Sequence, residues 1–206
     1  MSARSLVVIT AGLRQPSSTR LLSEQIAAAV SRKGAEDGLN FEAQFIEVRD
    51  VAHDLVNNLL TGFPSRGLEE QLERVTKADA LIVVTPIFTG SFSGLFKMFF
   101  DVIGPEQLVD IPVLLGATGG TARHSLALEH AMRPMFAYMR ATTVPTSIYA
   151  APEDWGGTSA SRSISSRIER GAKELSLEVS RRPPKKSIDP YGDVMNFDQL
   201  VRSTNG

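Results

Sequence analysis

An α/β domain on a parallel sheet is the fold this chain predicts, and three observations predict it. Short apolar runs alternate with longer segments of helical period five times over. Three of those runs are apolar throughout, as strands covered on both faces must be. No run is followed at once by another, so each strand-to-strand connection has room for a helical crossover, which is right-handed in such sheets.

The elements follow in order. SLVVIT (Ser5 to Thr10) is the first central strand, and LLSEQIAAAVSRKG the first helix, with Leu22, Ile26 and Val30 at four-residue spacing. FEAQFIEV (Phe41 to Val48) alternates, placing Phe41, Ala43, Phe45 and Glu47 on one side, which suits a strand nearer an edge. LEEQLERVTKAD carries Leu68, Leu72 and Val75 on one stripe and is the second helix. ALIVVTP (Ala80 to Pro86) is the third strand, GLFKMFFDVIG the third helix and PVLLGAT (Pro112 to Thr118) the fourth strand. SLALEHAMRPMFAYMR is a fourth helix that Pro134 kinks or restarts. TVPTSIYA (Thr143 to Ala150) is the fifth strand and SASRSISSRIERGAKELSLEV the fifth helix. Five strands favour a flavodoxin-like three-layer αβα sandwich of order 2-1-3-4-5 over the six-stranded dinucleotide fold.

This domain is expected to occupy residues 1–180. Residues 181–206 begin with RRPPKK, which reads as a solvated basic linker. The tail beyond it holds Ile188, Tyr191, Val194, Met195, Phe197, Leu200 and Val201, too apolar for a disordered end, and is expected to pack on the body or on a partner subunit.

Composition narrows the function. With 22 basic and 23 acidic residues the net charge is −1, so no global field draws the protein to nucleic acid or to an anionic membrane. No cysteine is present, which excludes disulfides, thiolate metal sites and a cysteine nucleophile. His53, His124 and His130 lack metal-ligand spacing. The first apolar stretch is too short for a signal peptide or a membrane span. The expected location is the cytoplasm.

Ligands of an open parallel sheet bind beyond the carboxyl ends of its strands. After the first strand comes AGLRQPSSTR. A helix starting near Ser17, Ser18 and Thr19 offers unpaired backbone N–H groups and a positive dipole end, to which Arg14 adds a guanidinium and Gly12 a turn. A plain helix cap needs only one of those hydroxyls. The loop has neither the lysine of GxxxxGK[ST] nor the glycines of GxGxxG, so it suits a monophosphate rather than ATP or a dinucleotide.

After the third strand, Pro86, Ile87, Phe88, Thr89, Gly90 and Ser91 set apolar groups beside backbone amides, which suits a flat heteroaromatic ring; staples for the third helix are the competing reading. After the fourth strand, Thr118, Gly119 and Gly120 allow close backbone approach, or merely make a turn. A phosphate at the first loop and a ring between the other two describe FMN. A phospho-acceptor receiver domain needs acids where this chain has Thr10, Thr85 and Pro86, and that reading fails.

TPIFTGSFSGLFKMFFD, GATGGTARHSLALEHAMRP and the spacing of LRQPSSTRLL resemble the NADPH-dependent FMN reductase family, most closely the branch that supplies reduced FMN to two-component flavin monooxygenases. The resemblance runs from Ser5 to about Trp155. Arg14, Ser17 and Thr19 fall on the family's phosphate-loop pattern, with Gly12 where many members have serine. Phe88 and Thr89 stand where many relatives have Tyr-Asn, so a side-chain amide contact to the ring is absent from the pattern while backbone contacts are retained.

The resemblance implies hydride transfer from NADPH, or NADH, to FMN. It also implies a homodimer or homotetramer, and a monooxygenase served by diffusing flavin. On the same scaffold a quinone, azo-dye or metal-ion reductase is the alternative enzyme, and a one-electron FMN carrier the alternative outside catalysis.

Overall fold

The computed structural model describes residues 2–156 and 158–185. Its core is a parallel sheet in which β1 (Ser2–Thr10) lies between β2 (Leu39–Glu47) and β3 (Ala80–Phe88), and β5 (Pro112–Thr118) lies beyond β3. A short β4 (Ser91–Phe92) folds back antiparallel on β3. The expected fifth strand is two pieces, β6 (Thr142–Thr143) paired with the start of β5 and β7 (Ile148–Ala150) paired with its end. The order β2-β1-β3-β5 with β6 and β7 outermost is the flavodoxin-like order, in seven strands rather than five.

Pro145 explains the break, because a proline has no N–H for the ladder. The excursion it causes is held by side chains. Arg133 donates to Thr143 Oγ1 at 2.8 Å, to the carbonyls of Val144 and Pro145 at 3.0 and 3.1 Å, and to Ser147 Oγ at 2.7 Å. Glu174 accepts from the Thr146 N–H at 2.7 Å and from its hydroxyl at 2.8 Å.

Strand alternation divides the core into two layers. Leu6, Val8, Ile82, Val84 and Leu114 face α1 (Ser18–Glu36) and α6 (Thr158–Ser180), while Val7, Ile9, Leu81, Val83 and Leu115 face the other helices. These are α2 (Ala52–Thr61), α3 (Arg66–Lys77), α4 (Gly94–Asp101) and α5 (Arg133–Tyr138). Leu22, Ile26 and Val30 are fully buried, as their spacing requires. In β2 only part of the expected face is inward: Phe41 is buried, but Ala43 is exposed and Ile46, from the opposite side, is buried. Before Pro134 the chain makes a π-helix, Leu128–Met132, and α5 restarts at Arg133, since Pro134 cannot donate to the preceding turn.

Arg182 and Lys185, read from sequence as solvated linker, are tied across the amino ends of the strands. Arg4 is buried and donates to the Arg182 carbonyl at 2.7 Å. Asp79 accepts from Arg4, from the Ser5 N–H at 2.8 Å and from the Lys185 N–H at 2.8 Å. Lys185 Nζ donates to the Thr76 carbonyl at 2.9 Å, and its burial pushes the ammonium pKa down against the opposing pull of Asp79. The expectation for the apolar tail concerns residues 186–206 and lies outside the described residues.

Candidate functional site

β1 ends at Thr10, opposite Val84, while β3 runs on to Phe88 with Pro86 opposite Thr118. The loop after β1 therefore lies beside the last residues of β3 and β5. Together they wall a cleft of about 1190 Å³, lined by Gly12, Arg14, Ser17, Ser18, Thr19, Pro86, Phe88 and Thr118 among others. That is room for a ligand of mononucleotide size or larger.

The three hydroxyls of the first loop have three different positions. Ser17 is the N-cap of α1: its Oγ accepts from the Arg20 N–H at 3.2 Å. Thr19 is buried, its Oγ1 2.9 Å from Thr118 Oγ1, so the loop and the end of β5 are joined by one hydrogen bond. Ser18 is exposed beside the first-turn N–H groups. Those groups have no intrahelical acceptor, and the helix dipole adds positive potential there.

A Cβ on Gly12 would stand 2.1 Å from Ser17 Oγ, so its glycine is what lets the loop fold back onto its own cap. Arg14 is exposed at the cleft, with its carbonyl held by Arg49 Nη1 at 3.2 Å. Arg20, which follows the hydroxyls, also lines the cleft. It donates to Glu24 at 2.7 Å and Glu47 at 2.8 Å, and lies 3.9 Å from the centre of the Phe45 ring. Burial works against its charge, but the bonds to Glu24 and Glu47 outweigh this and raise its pKa.

The second loop is a hairpin. Thr89 and Gly90 both have positive φ, 50° and 82°, and join Phe88 to Ser91 in a two-residue turn of the twist-compatible kind. Thr89, Gly90 and Ser91 are accounted for by that turn and do not line the cleft. Ile87, grouped from sequence with the ring-binding residues, is in the core, in one cluster with Phe96 and its neighbours. Phe92 meets Phe96 at 5.8 Å and is the helix staple, whereas Phe88 is 48% exposed and faces the cleft.

At the third loop, a Cβ on Gly119 would meet Tyr149 Oη at 2.0 Å. Tyr149 in turn donates to the Thr121 carbonyl at 2.8 Å, and burial, with Glu153 and Asp154 nearby, pushes its phenol pKa up. Gly119 is thus required by the protein's own packing. Gly120 has open space above it, and neither glycine lines the cleft.

Sequence reading missed Glu47, Arg49 and Trp155, which also line the cleft. Glu47 and Arg49 follow the same rule as the other loops, being at the carboxyl end of β2. Among the described residues no group of three or more His, Cys, Asp or Glu could hold a metal ion.

The model of the family described as NADPH-dependent FMN reductase matches residues 5–156. This chain belongs to that family. Among curated relatives, NADH-dependent FMN reductase SfnE of Pseudomonas putida is 40% identical over 147 residues, covering 71% of this chain and 76% of the relative. A Pseudomonas aeruginosa FMN reductase (NADPH) is 36% identical over 150 residues, 73% and 78% of the two chains. An oxidoreductase from Corynebacterium diphtheriae superposes with TM-score 0.85 at 39% identity, over 89% of this chain and all of the other. The apo form of the NADH:FMN oxidoreductase EmoB does so at 0.74 and 26%, over 92% and 99%.

Proposed function

We propose that this chain is an NAD(P)H-dependent FMN reductase whose cleft holds the flavin phosphate at the start of α1 and the ring beside Phe88. The observation that carries the reading is that one cleft joins the α1 amino end, with Arg14, Ser17 and Ser18, to Pro86, Phe88 and Thr118. Family membership and the names of the relatives give the same activity. The residues fit the group: exposed donors for an anion at one end, and a half-exposed aromatic face at the other.

FMN, when bound, supplies the hydride-accepting ring nitrogen, so no protein acid or base is needed for the transfer itself. The chain's part is to place and shelter. Ser18 and the first-turn amides receive the phosphate, with Arg14 closing over it. Thr19 and Thr118 keep that loop at a fixed distance from β5, and Phe88 offers a face against which a ring is held in register with an incoming nicotinamide. Thr118, at the end of β5, itself lines the cleft.

The reduced flavin is proposed to leave for a monooxygenase, in the manner of the family branch the sequence resembles. Assembly as a homodimer or homotetramer and a cytoplasmic location belong to the same proposal. Among the described residues no helix is long and apolar enough to cross a membrane.

The test is oxidation of NADPH and of NADH, followed with and without added FMN. FMN-dependent oxidation of either nicotinamide supports the reading. Flavin bound with both nicotinamides untouched makes the chain an electron carrier, and turnover of quinones or azo dyes in preference to free FMN makes it a reductase of those acceptors.

A further inference from the structure

Five charged side chains line the cleft: Arg14, Arg20 and Arg49 against Glu24 and Glu47. Two of the three cations are already engaged. Glu47 Oε1 accepts from Arg20 Nη1 at 2.8 Å, and Glu47 Oε2 is 3.9 Å from Arg49 Nη2, beyond hydrogen-bond reach. That second oxygen is buried without a hydrogen-bond partner, on a side chain only 14% exposed. Arg20 is fixed further by Glu24 and by the Phe45 ring beneath it, so it cannot swing to a new anion without giving up Glu47. A partly buried carboxylate thus stands in the anion cleft, paired with Arg20 and facing Arg49 with one oxygen left without a hydrogen bond, in surroundings where charges interact more strongly than in water.

We infer that Glu47 is an affinity-setting residue, which keeps phosphate binding weak by holding Arg20 and opposing the incoming anion, so that the flavin exchanges as a substrate instead of staying as a prosthetic group. The inference rests on the phosphate reading above. It assigns Glu47 no role in hydride transfer. A cleft built to retain a dianion gains from unopposed guanidinium groups, and removing this one carboxylate takes a counter-charge from both Arg20 and Arg49, which keep Glu24 and Asp50 beside them. Phosphate affinity then rises, while affinity for a flavin without phosphate does not.

The experiment is calorimetric titration of FMN and riboflavin into wild type, Glu47→Gln and the double variant Glu47→Gln/Arg20→Gln, with thermal melting of each. Glutamine keeps the size of the side chain and an acceptor for Arg20. Glu47→Gln is expected to bind FMN about tenfold more tightly, to leave riboflavin unchanged, and to lose the gain in roughly 0.2 M salt. In the double variant most of the gain disappears, and stopped-flow fluorescence shows slower FMN release from the single variant. Should Glu47→Gln melt early, Glu24→Gln removes the other carboxylate charge beside the same arginine, from a half-exposed position, and is expected to give a smaller gain of the same sign. FMN affinity unchanged or lower in a folded Glu47→Gln, with wild type still preferring FMN over riboflavin, overturns the role of Glu47 alone. Wild type that binds both flavins equally overturns the phosphate reading and this inference with it.

Discussion

Thr19 Oγ1 and Thr118 Oγ1 lie 2.9 Å apart, both buried, and their hydrogen bond links the first turn of α1 to the end of β5. Ninety-nine residues of sequence separate them, so the bond ties together two distant segments that both line the cleft. Thr118→Val leaves the Thr19 hydroxyl buried and unpaired, at an expected cost of about 1–3 kcal/mol. The double replacement by valine should cost less than the sum of the two singles. Urea midpoints of the four proteins measure this, and additive losses would show that the two hydroxyls act independently.

Gly119→Ala should destabilise the fold before it affects any ligand, because its Cβ would sit 2.0 Å from Tyr149 Oη. An overpacked site of this kind costs about 1–3 kcal/mol. Tyr149→Phe removes the clashing oxygen, so the pair Gly119→Ala/Tyr149→Phe should recover part of the melting temperature lost by the alanine alone. No recovery would mean that the ring, 3.0 Å away at its nearest carbon, is the obstacle.

Asp79→Ala should be among the most damaging single changes at the amino ends of the strands. It strands the guanidinium of Arg4, which is 5% exposed, and releases the N–H groups of Ser5 and Lys185. Removing one member of a buried pair costs about 3–5 kcal/mol. Flavin binding, at the other end of the sheet, should be unchanged under conditions where the variant is folded. Denaturation and FMN titration of the same preparation separate the two effects.

Glu129 gives an acid-side prediction. The bonds from Arg133 hold its carboxyl below the usual range against the opposing effect of burial, with Ser147 adding to the lowering. A carboxylate whose pKa is lower folded than unfolded contributes stability that is complete above the unfolded value, about 4.3, and is lost as pH falls through the folded one. Glu129→Gln should therefore reduce stability at neutral pH and narrow toward wild type in acid. Since Glu129 is 43% exposed, the difference is modest. Melting curves from pH 7 down to about pH 3 give the comparison, and parallel curves would assign the loss to shape and not charge.

The strands that bury both faces were legible because each carries a run of bulky aliphatic residues, Leu6 to Ile9, Leu81 to Val84 and Val113 to Leu115, all of them buried. α2 was not: of AHDLVNNLLT only Leu55 is buried, so it has no stripe to read. The broken last strand needed knowledge of Arg133 and Glu174, whose contact with Pro145 to Ser147 is tertiary. At the site, the loop after β1 could be read from its excess of donors. Gly12 and Gly119 could not be told apart from ligand-approach glycines, because the atoms that exclude a Cβ, Ser17 Oγ and Tyr149 Oη, come from folding. Nothing in the sequence sets Arg20 apart from the other polar residues of the first helix; its bond to Glu47, at the end of β2, is tertiary and ties it to the cleft wall.

The central claim is that the amino end of α1 takes the phosphate, and the most direct measurement is a four-way titration of wild type and Arg14→Ala against FMN and riboflavin by flavin fluorescence. Arg14 is exposed at the cleft and no described carboxylate pairs with it, so its guanidinium is free for an anion. A charge-assisted bond to phosphate is worth on the order of 1.5–3 kcal/mol, which corresponds to roughly tenfold to a hundredfold in affinity. Wild type should prefer FMN, and Arg14→Ala should erase much of that preference while riboflavin binding stays as it was; Ser17→Ala should act in the same direction more weakly. Equal losses for the two flavins in Arg14→Ala would contradict the account and place the phosphate elsewhere.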